Sequence, residues 1–161
     1  MADTRRKTIL LQGEGNFKEA KSTAATILPG SLLERTSGGI RKHATAGGNA
    51  QRLFAFENEG NGGTIDTVYP VSSLIKILFP EPGDEVLAIL KNGEHVVVGD
   101  YLESAGGGEL QKHVADVDLN HPGSADFTVY TNQIIGVALE ECNMSGSNAV
   151  DPSGRFAIEI V

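Results

Sequence analysis

One short pattern occurs twice in this chain, and it constrains the fold more than any other feature. The first copy runs Pro29-Gly30-Ser31-Leu32-Leu33-Glu34, then Ser37-Gly38-Gly39-Ile40-Arg41-Lys42-His43-Ala44. The second runs Val98-Gly99-Asp100-Tyr101-Leu102-Glu103, then Gly106-Gly107-Gly108-Glu109-Leu110-Gln111-Lys112-His113-Val114, with a turn one residue longer. Each reads G-x-x-L-E, a glycine-rich turn, an aliphatic residue, a polar residue, Lys and His. A partial third copy starts at Gly136-Val137-Ala138-Leu139-Glu140 and resumes at Arg155-Phe156-Ala157-Ile158-Glu159-Ile160-Val161. Internal repetition dictates architecture, and each copy reads as a β-hairpin. Gly30, Gly99 and Gly136 admit an unusual φ or a close backbone approach at strand entry. Alternation then places Leu33 and Leu102 inward, beside outward Glu34 and Glu103. Gly38, Gly39, Gly106 and Gly107 supply the reversing turns. A phosphate cradle would need a helix to follow such a turn, and no helical period does.

The rest of the chain repeats the theme of short strands and frequent turns. Phe54 and Phe56 share one face of a strand. Leu74–Phe79 is a strand stopped by Pro80-Glu81-Pro82-Gly83-Asp84, and Glu85–Leu90 is its expected return. Asn92-Gly93 predicts a two-residue hairpin turn leading back through His95–Val98. Ile65, Val68 and Tyr69 suggest a helical turn ending before Pro70. Asp116–Asp126 reads as loop, Phe127–Tyr130 and Gln133–Leu139 as strands, Met144–Asn148 as a loop tip and Phe156–Val161 as a last strand. Twenty glycines in 161 residues fit this spacing, and strands every 8 to 12 residues indicate an all-β barrel or sandwich. A chain of this length buries roughly 70% of its unfolded surface, enough to fold without disulfide or metal.

Charge is unevenly placed. The net charge is −8, yet residues 1–52 hold nine of the thirteen basic side chains and only four of the twenty-one acids. A solvated surface that happens to be sorted is one reading; a basic leading segment that docks on an acidic partner is the other. The acidic remainder disfavours nucleic acid as a partner. Residues 1–27 carry Arg5, Arg6, Lys7 and the β-capable run Thr8, Ile9, Leu10, Leu11, then a mixed stretch in which a helix over 18–25 is conceivable. Two readings stand for this segment: an extended arm that orders on a partner, or an ordinary first strand inside the body. The three residues Ile9-Leu10-Leu11 are too short for a signal-peptide core or a membrane span, so synthesis in a cytoplasm with no membrane partner is expected.

Chemistry finds little foothold. His43 and His113 occupy matching repeat positions, but Lys42 and Lys112 beside them oppose a cation, and no H-x-H or C-x-x-C spacing occurs; neither metal nor cofactor is expected. His95 and His121 stand apart. Asp116 with Asp118 and Glu140 with Glu141 lack the burial that would split their pKa values. His95, Asp100 and a serine have no motif around them to make a triad. Cys142 is the sole cysteine and sits beside Glu140 and Glu141, which discourages a thiolate. No catalytic residue is assigned.

The run Leu28-Pro29-Gly30, then Arg41 to Ala50, then Phe54 to Glu59 resembles the capsid decoration (cement) proteins of tailed bacteriophages. Gly99 to Gly106 and Ile135 to Glu140 continue the likeness, which spans roughly residues 28–161. The resemblance implies a non-enzymatic virion protein, similar in role to the lambda head decoration protein. It would sit as trimers on the outer surface of the expanded capsid and stabilise major capsid protein contacts against DNA pressure. The expected fold is all-β: a small barrel or β-tulip-like domain over 28–161, with hairpins at 29–44, 98–114 and 136–161, preceded by an extended arm over 1–27. Residues Arg5 to Leu11 would contact the shell by adding a strand to an exposed edge. A small β-barrel ligand- or carbohydrate-binding module is the alternative, although the chain has no tryptophan to line a sugar site. A hydrolase is the third reading.

Overall fold

Each repeated stretch folds as an antiparallel pair. In the computed structural model, which describes residues 6–24, 26–114, 132–146 and 154–161, β3 (Leu33–Thr36) pairs with β4 (Gly39–Lys42) from Leu33↔Lys42 to Thr36↔Gly39. β9 (Tyr101–Gly106) pairs with β10 (Glu109–Lys112), and the extra turn residue is absorbed by a register shift at Glu109/Leu110. Gly106, Gly107 and Gly108 all take positive φ there, a bulged turn that a side chain would strain. β11 (Ile134–Ala138) pairs with β13 (Arg155–Ile160) to make the third.

The remaining strands are β1 (Leu10–Gln12), β2 (Asn16–Lys21), β5 (Phe54–Ala55), β6 (Leu74–Phe79), β7 (Glu85–Ile89), β8 (His95–Val96) and β12 (Cys142–Asn143). A six-stranded sheet runs β1-β7-β13-β11-β9-β10, and a three-stranded sheet runs β2-β6-β5. The pairs β3-β4 and β8-β12 stand as two-stranded sheets. The fold is almost entirely antiparallel β, with one short 3₁₀ turn at Glu59–Asn61. The sheets do not close into a barrel; the parallel bridge Leu90↔Leu110 brings the start of β10 near the end of β7.

Two cores result, and the 53–56 segment is their shared wall. Phe54 and Phe56 face the larger core with Leu32, Val86, Leu102, Phe156 and Ile158. Leu53 and Ala55 face the smaller one with Ile27, Leu33, Ile40 and Ile75. β6 behaves likewise: Ile75 and Ile77 enter the smaller core, Leu78 the larger. Burial on both faces explains the apolar pair Ile77-Leu78, whereas Leu74 at the start of the strand is exposed. Each fully buried aliphatic or aromatic side chain contributes about 1.5–3 kcal/mol, so both faces of this layer hold the sheets together.

Several expectations are corrected by pairing. β7 does not return beside β6, because β6 already has β2 and β5 on its two edges. The Pro80–Asp84 turn instead passes the chain to the other sheet, where Gly83 N–H donates to the Ile160 carbonyl at 2.8 Å. The Asn92-Gly93 turn exists, with Gly93 at φ +93, but no β7–β8 ladder follows it. β1 and β13 occupy both edges of β7, so β8 pairs with β12. Residues 18–21 are strand, not helix, since pairing with β6 from Asn16↔Phe79 to Lys21↔Leu74 outweighs a weak local preference. The helical turn expected at 65–69 reduces to a Thr64–Thr67 turn, after which Tyr69 bridges Ile27. The strand expected at Phe127–Tyr130, the pair Asp116 and Asp118, His121, Arg5 and residues 147–148 lie outside the described residues.

Glu109, at the start of β10, yields a test of the second hairpin. Its carboxyl is held above the usual glutamate range, first by burial and against the pull of Lys42 and Lys91. An acid that keeps its proton longer when folded makes ionisation unfavourable to the fold. That penalty is absent well below the ordinary glutamate pKa of about 4.3 and grows as pH rises through the raised folded value. Glu109→Gln should therefore be modestly more stable than wild type in urea at pH 7 and equal to it at pH 3. A gain of equal size at both pH values would assign the effect to packing.

Candidate functional site

The two full repeats dock on each other through their polar residues. Leu32 N–H donates to Gly108 O at 2.7 Å, and Gly108 N–H to His43 O at 3.0 Å. A Cβ on Gly106 would stand 2.8 Å from the Ala44 carbonyl oxygen, so the second turn needs glycine for this approach as well as for φ. His43, 1% exposed, lies in the seam. Its Nε2 faces the Asn49 carbonyl at 3.1 Å, and its Nδ1 faces Ser104 Oγ at 2.7 Å. A carbonyl can only accept, so Nε2 donates to Asn49, and Nδ1 and the Ser104 hydroxyl share the second bond. A serine beside an imidazole is the geometry of a nucleophile and its base. Here Ser104 is fully buried and also accepts from Gly106 N–H, so the pair pins one hairpin to the other.

Glu103 is not outward. It is 2% exposed and accepts from Gln111 Nε2 at 2.8 Å, while His113 Nδ1 lies 2.7 Å from its other oxygen. The matching histidines thus serve two structural bonds. His95 pairs at the surface with Glu141. No group of three His, Cys, Asp or Glu stands together among the described residues, and none of their helices could cross a membrane.

The leading segment is part of the body. Ile9 is fully buried, its N–H donates to Glu57 Oε2 at 3.1 Å, and its carbonyl accepts from Leu87 N–H at 2.8 Å. Leu10 and Leu11 pack against the larger core, and β1 pairs with β7. Residues 9–24 therefore do not form a free arm, because their apolar side chains complete this core and their main chain completes two sheets. Arg6 reaches Glu140 at 2.6 Å; Lys7 is exposed and Thr8 half-buried. Of the proposed turn glycines, Gly136 is mid-strand, where a Cβ would stand 2.5 Å from the Glu159 carbonyl oxygen. Gly30 and Gly99 do take positive φ.

Phe17, Val68, Val71 and Leu74 are exposed apolar side chains, and four more meet at one corner of the body. Val97, Val98, Tyr101 and Val114 are 45%, 66%, 53% and 67% exposed. Backbone bonds gather them: Asp100 N–H donates to Val97 O at 3.1 Å, and His113 N–H to Tyr101 O at 2.7 Å. Asp100 braces the turn, taking Lys112 Nζ at 2.8 Å and Val97 N–H at 2.9 Å. Lys112 first, and then the Val97 N–H, hold its carboxyl below the usual aspartate range. Exposure of single apolar residues is ordinary; four on one turn and hairpin make an exposed apolar patch. Alternation in β9 hinted at outward Tyr101, but the turn that adds Val97 and Val98 had read as strand. No family model matches the chain, and no curated protein matches it.

Proposed function

We propose that this chain is a capsid decoration protein of a tailed bacteriophage. It binds the outer face of the expanded head as a trimer, contacts the major capsid protein and holds neighbouring subunits together against DNA pressure, without catalysis. The apolar corner at Val97, Val98, Tyr101 and Val114 carries this reading, since it suits a protein partner rather than a small molecule. The hairpins on which the resemblance rests are formed as paired strands, which is consistent with it. Thr8–Leu11 is no free arm, since β1 is the edge strand beside β7; the corner is taken as the contact instead. A lattice offers many equivalent sites, so weak contacts sum to firm attachment.

The test is co-sedimentation of the full chain with expanded heads lacking their decoration protein, beside unexpanded procapsids. Saturable binding to expanded heads alone is expected. Val98→Asp should weaken it by about tenfold or more, as for a central interface residue, without lowering the melting temperature appreciably, since Val98 is 66% exposed. Absence of binding to both particles, or full binding by the Val98→Asp protein, would overturn the reading.

A further inference from the structure

Two cations of the basic half lie over the Phe79 ring, a third lines the groove beside it, and none of the three holds a carboxylate. Lys18 Nζ lies 5.3 Å and Arg35 Cζ 5.5 Å from the Phe79 ring centre. Beside them a solvent-open groove of about 370 Å³ runs between residues 50–53, Phe79-Pro80 and Gln133, and no acid lines it. Arg52 lines that groove, and its Nε–H is buried without a hydrogen-bond partner. Arg35 is steered toward it by the bond from its Nε to Gln51 Oε1 at 3.1 Å. The other three described arginines, Arg6, Arg41 and Arg155, each have a carboxylate within 2.7 Å. No carboxylate among the described residues comes within ion-pair distance of Lys18, Arg35 or Arg52.

An unpartnered, buried donor on a charged group is costly, and the neighbouring like charges add repulsion. A bound acid meeting the guanidinium would offset that repulsion. The guanidinium fork matches a carboxylate. The apolar wall of Leu53, Phe79 and Pro80 asks for an aliphatic group close to that acid. A long polyanion fits poorly, since the chain as a whole carries −8 and each added phosphate meets that field. We infer that this groove takes a short segment of a partner polypeptide. An Asp or Glu of the segment meets Arg52 and Arg35, and an adjacent aliphatic side chain lies over Phe79 and Pro80. The site is separate from the apolar corner and does not depend on the partner being a phage shell.

The experiment is a nitrogen-15 NMR titration of the full chain with a capped peptide of alternating glutamate and leucine. Parallel titrations use the glutamine–leucine peptide, inorganic phosphate and a short thymidine strand. Saturable shifts are expected at the amides of Gln51, Arg52, Leu53 and Gln133 and at the Arg52 Nε–H, for the glutamate peptide only. Arg52→Gln and Arg35→Gln should each weaken binding by about tenfold, the loss of one hydrogen bond to a charged group. Lys91→Gln, outside the groove, should not, and melting temperatures report that the variants fold. No shift at these amides at millimolar peptide, or equal binding of the neutral peptide, would overturn the inference. Tighter binding of phosphate or thymidine at the same amides would replace the polypeptide with a phosphate ligand.

Discussion

Arg155→Met is expected to destabilise the protein by about 2–4 kcal/mol, while Asp66→Asn costs less than about 1 kcal/mol. Arg155 opens β13, and its side chain is 3% exposed. Nε and Nη2 both donate to the Pro29 carbonyl, at 3.3 and 3.2 Å. Nη2 also donates to the Ile65 carbonyl, and Nη1 donates to Asp66 Oδ1 at 2.7 Å. One guanidinium thus fastens the 29–31 loop and the 64–67 turn to the six-stranded sheet. Methionine fills most of the volume but offers no donor, so two buried carbonyls lose their partner, each at about 1–3 kcal/mol. Asp66 is different. Its side chain is 73% exposed, water replaces the lost bond, and the carbonyls keep theirs. Lysine should rescue little, because an ammonium is a compact point charge without the planar fork that spans three acceptors. Urea unfolding midpoints of the three variants decide it. Equal losses in Arg155→Met and Asp66→Asn would mean that the ion pair, and not the two carbonyls, carries the effect.

Arg155 also marks where sequence reasoning reaches its limit. The run 155–161 reads as a strand, and it is one; that an arginine within it is buried depends on loops from residues 29 and 65, which no local pattern connects. The same division holds elsewhere. Hairpins closed by glycine turns were legible, because the turn and the alternation lie within a dozen residues of each other. Partners across the fold were not. Asn92-Gly93 signals a turn faithfully, yet the strand after it is displaced because β7 has no free edge. Glu103 reads as outward by period and is buried, while Tyr101 on the same face of β9 stays exposed. The clue was that Gln111, its direct partner across the β9–β10 register, could satisfy a buried carboxylate.

The candidate surfaces were legible in part. The excess of bases before residue 53 is legible, but Lys18, Arg35 and Arg52 come from β2, β3 and the segment before β5, and only tertiary pairing brings them near Phe79. The arm fared otherwise. Its apolar run Ile9-Leu10-Leu11 is as fit to complete a core as to reach for a shell, and local sequence does not choose between the two. A truncation removing residues 1–12 would therefore strip β1 from the six-stranded sheet and Ile9 from the larger core. It tests folding more than binding, so single exposed substitutions are the cleaner probe of the partner surface.

Gly39→Ala should cost about 3 kcal/mol or more, whereas its neighbour Gly38→Ala should change stability by no more than about 0.5 kcal/mol. Both glycines sit in the first repeated turn. Gly39 takes φ +144, and a Cβ there would overlap the main-chain carbonyl of Lys21. That carbonyl belongs to β2, which is fixed to β6 by a ladder ending at Lys21↔Leu74, so it cannot yield as a side chain would. The methyl would have to push hairpin β3–β4 off the three-stranded sheet. It would open the Ser22↔Ile40 bridge and the Thr23 N–H to Ile40 bond, and disturb the smaller core at Ile40. At Gly38 φ is ordinary, and a Cβ meets only Thr23 Cγ2 at 3.4 Å; fewer unfolded conformations could even offset the small strain. The second copy of the repeat makes the same point without a mutation. Counting back from the shared Lys-His, the position of Gly39 is taken there by Glu109, because no β2 main chain crosses that hairpin. Thermal and urea unfolding of the two alanine variants separate the cases. Equal, small losses would mean that β2 and the first hairpin are not in contact at Lys21, and the smaller core would have to be closed in another way.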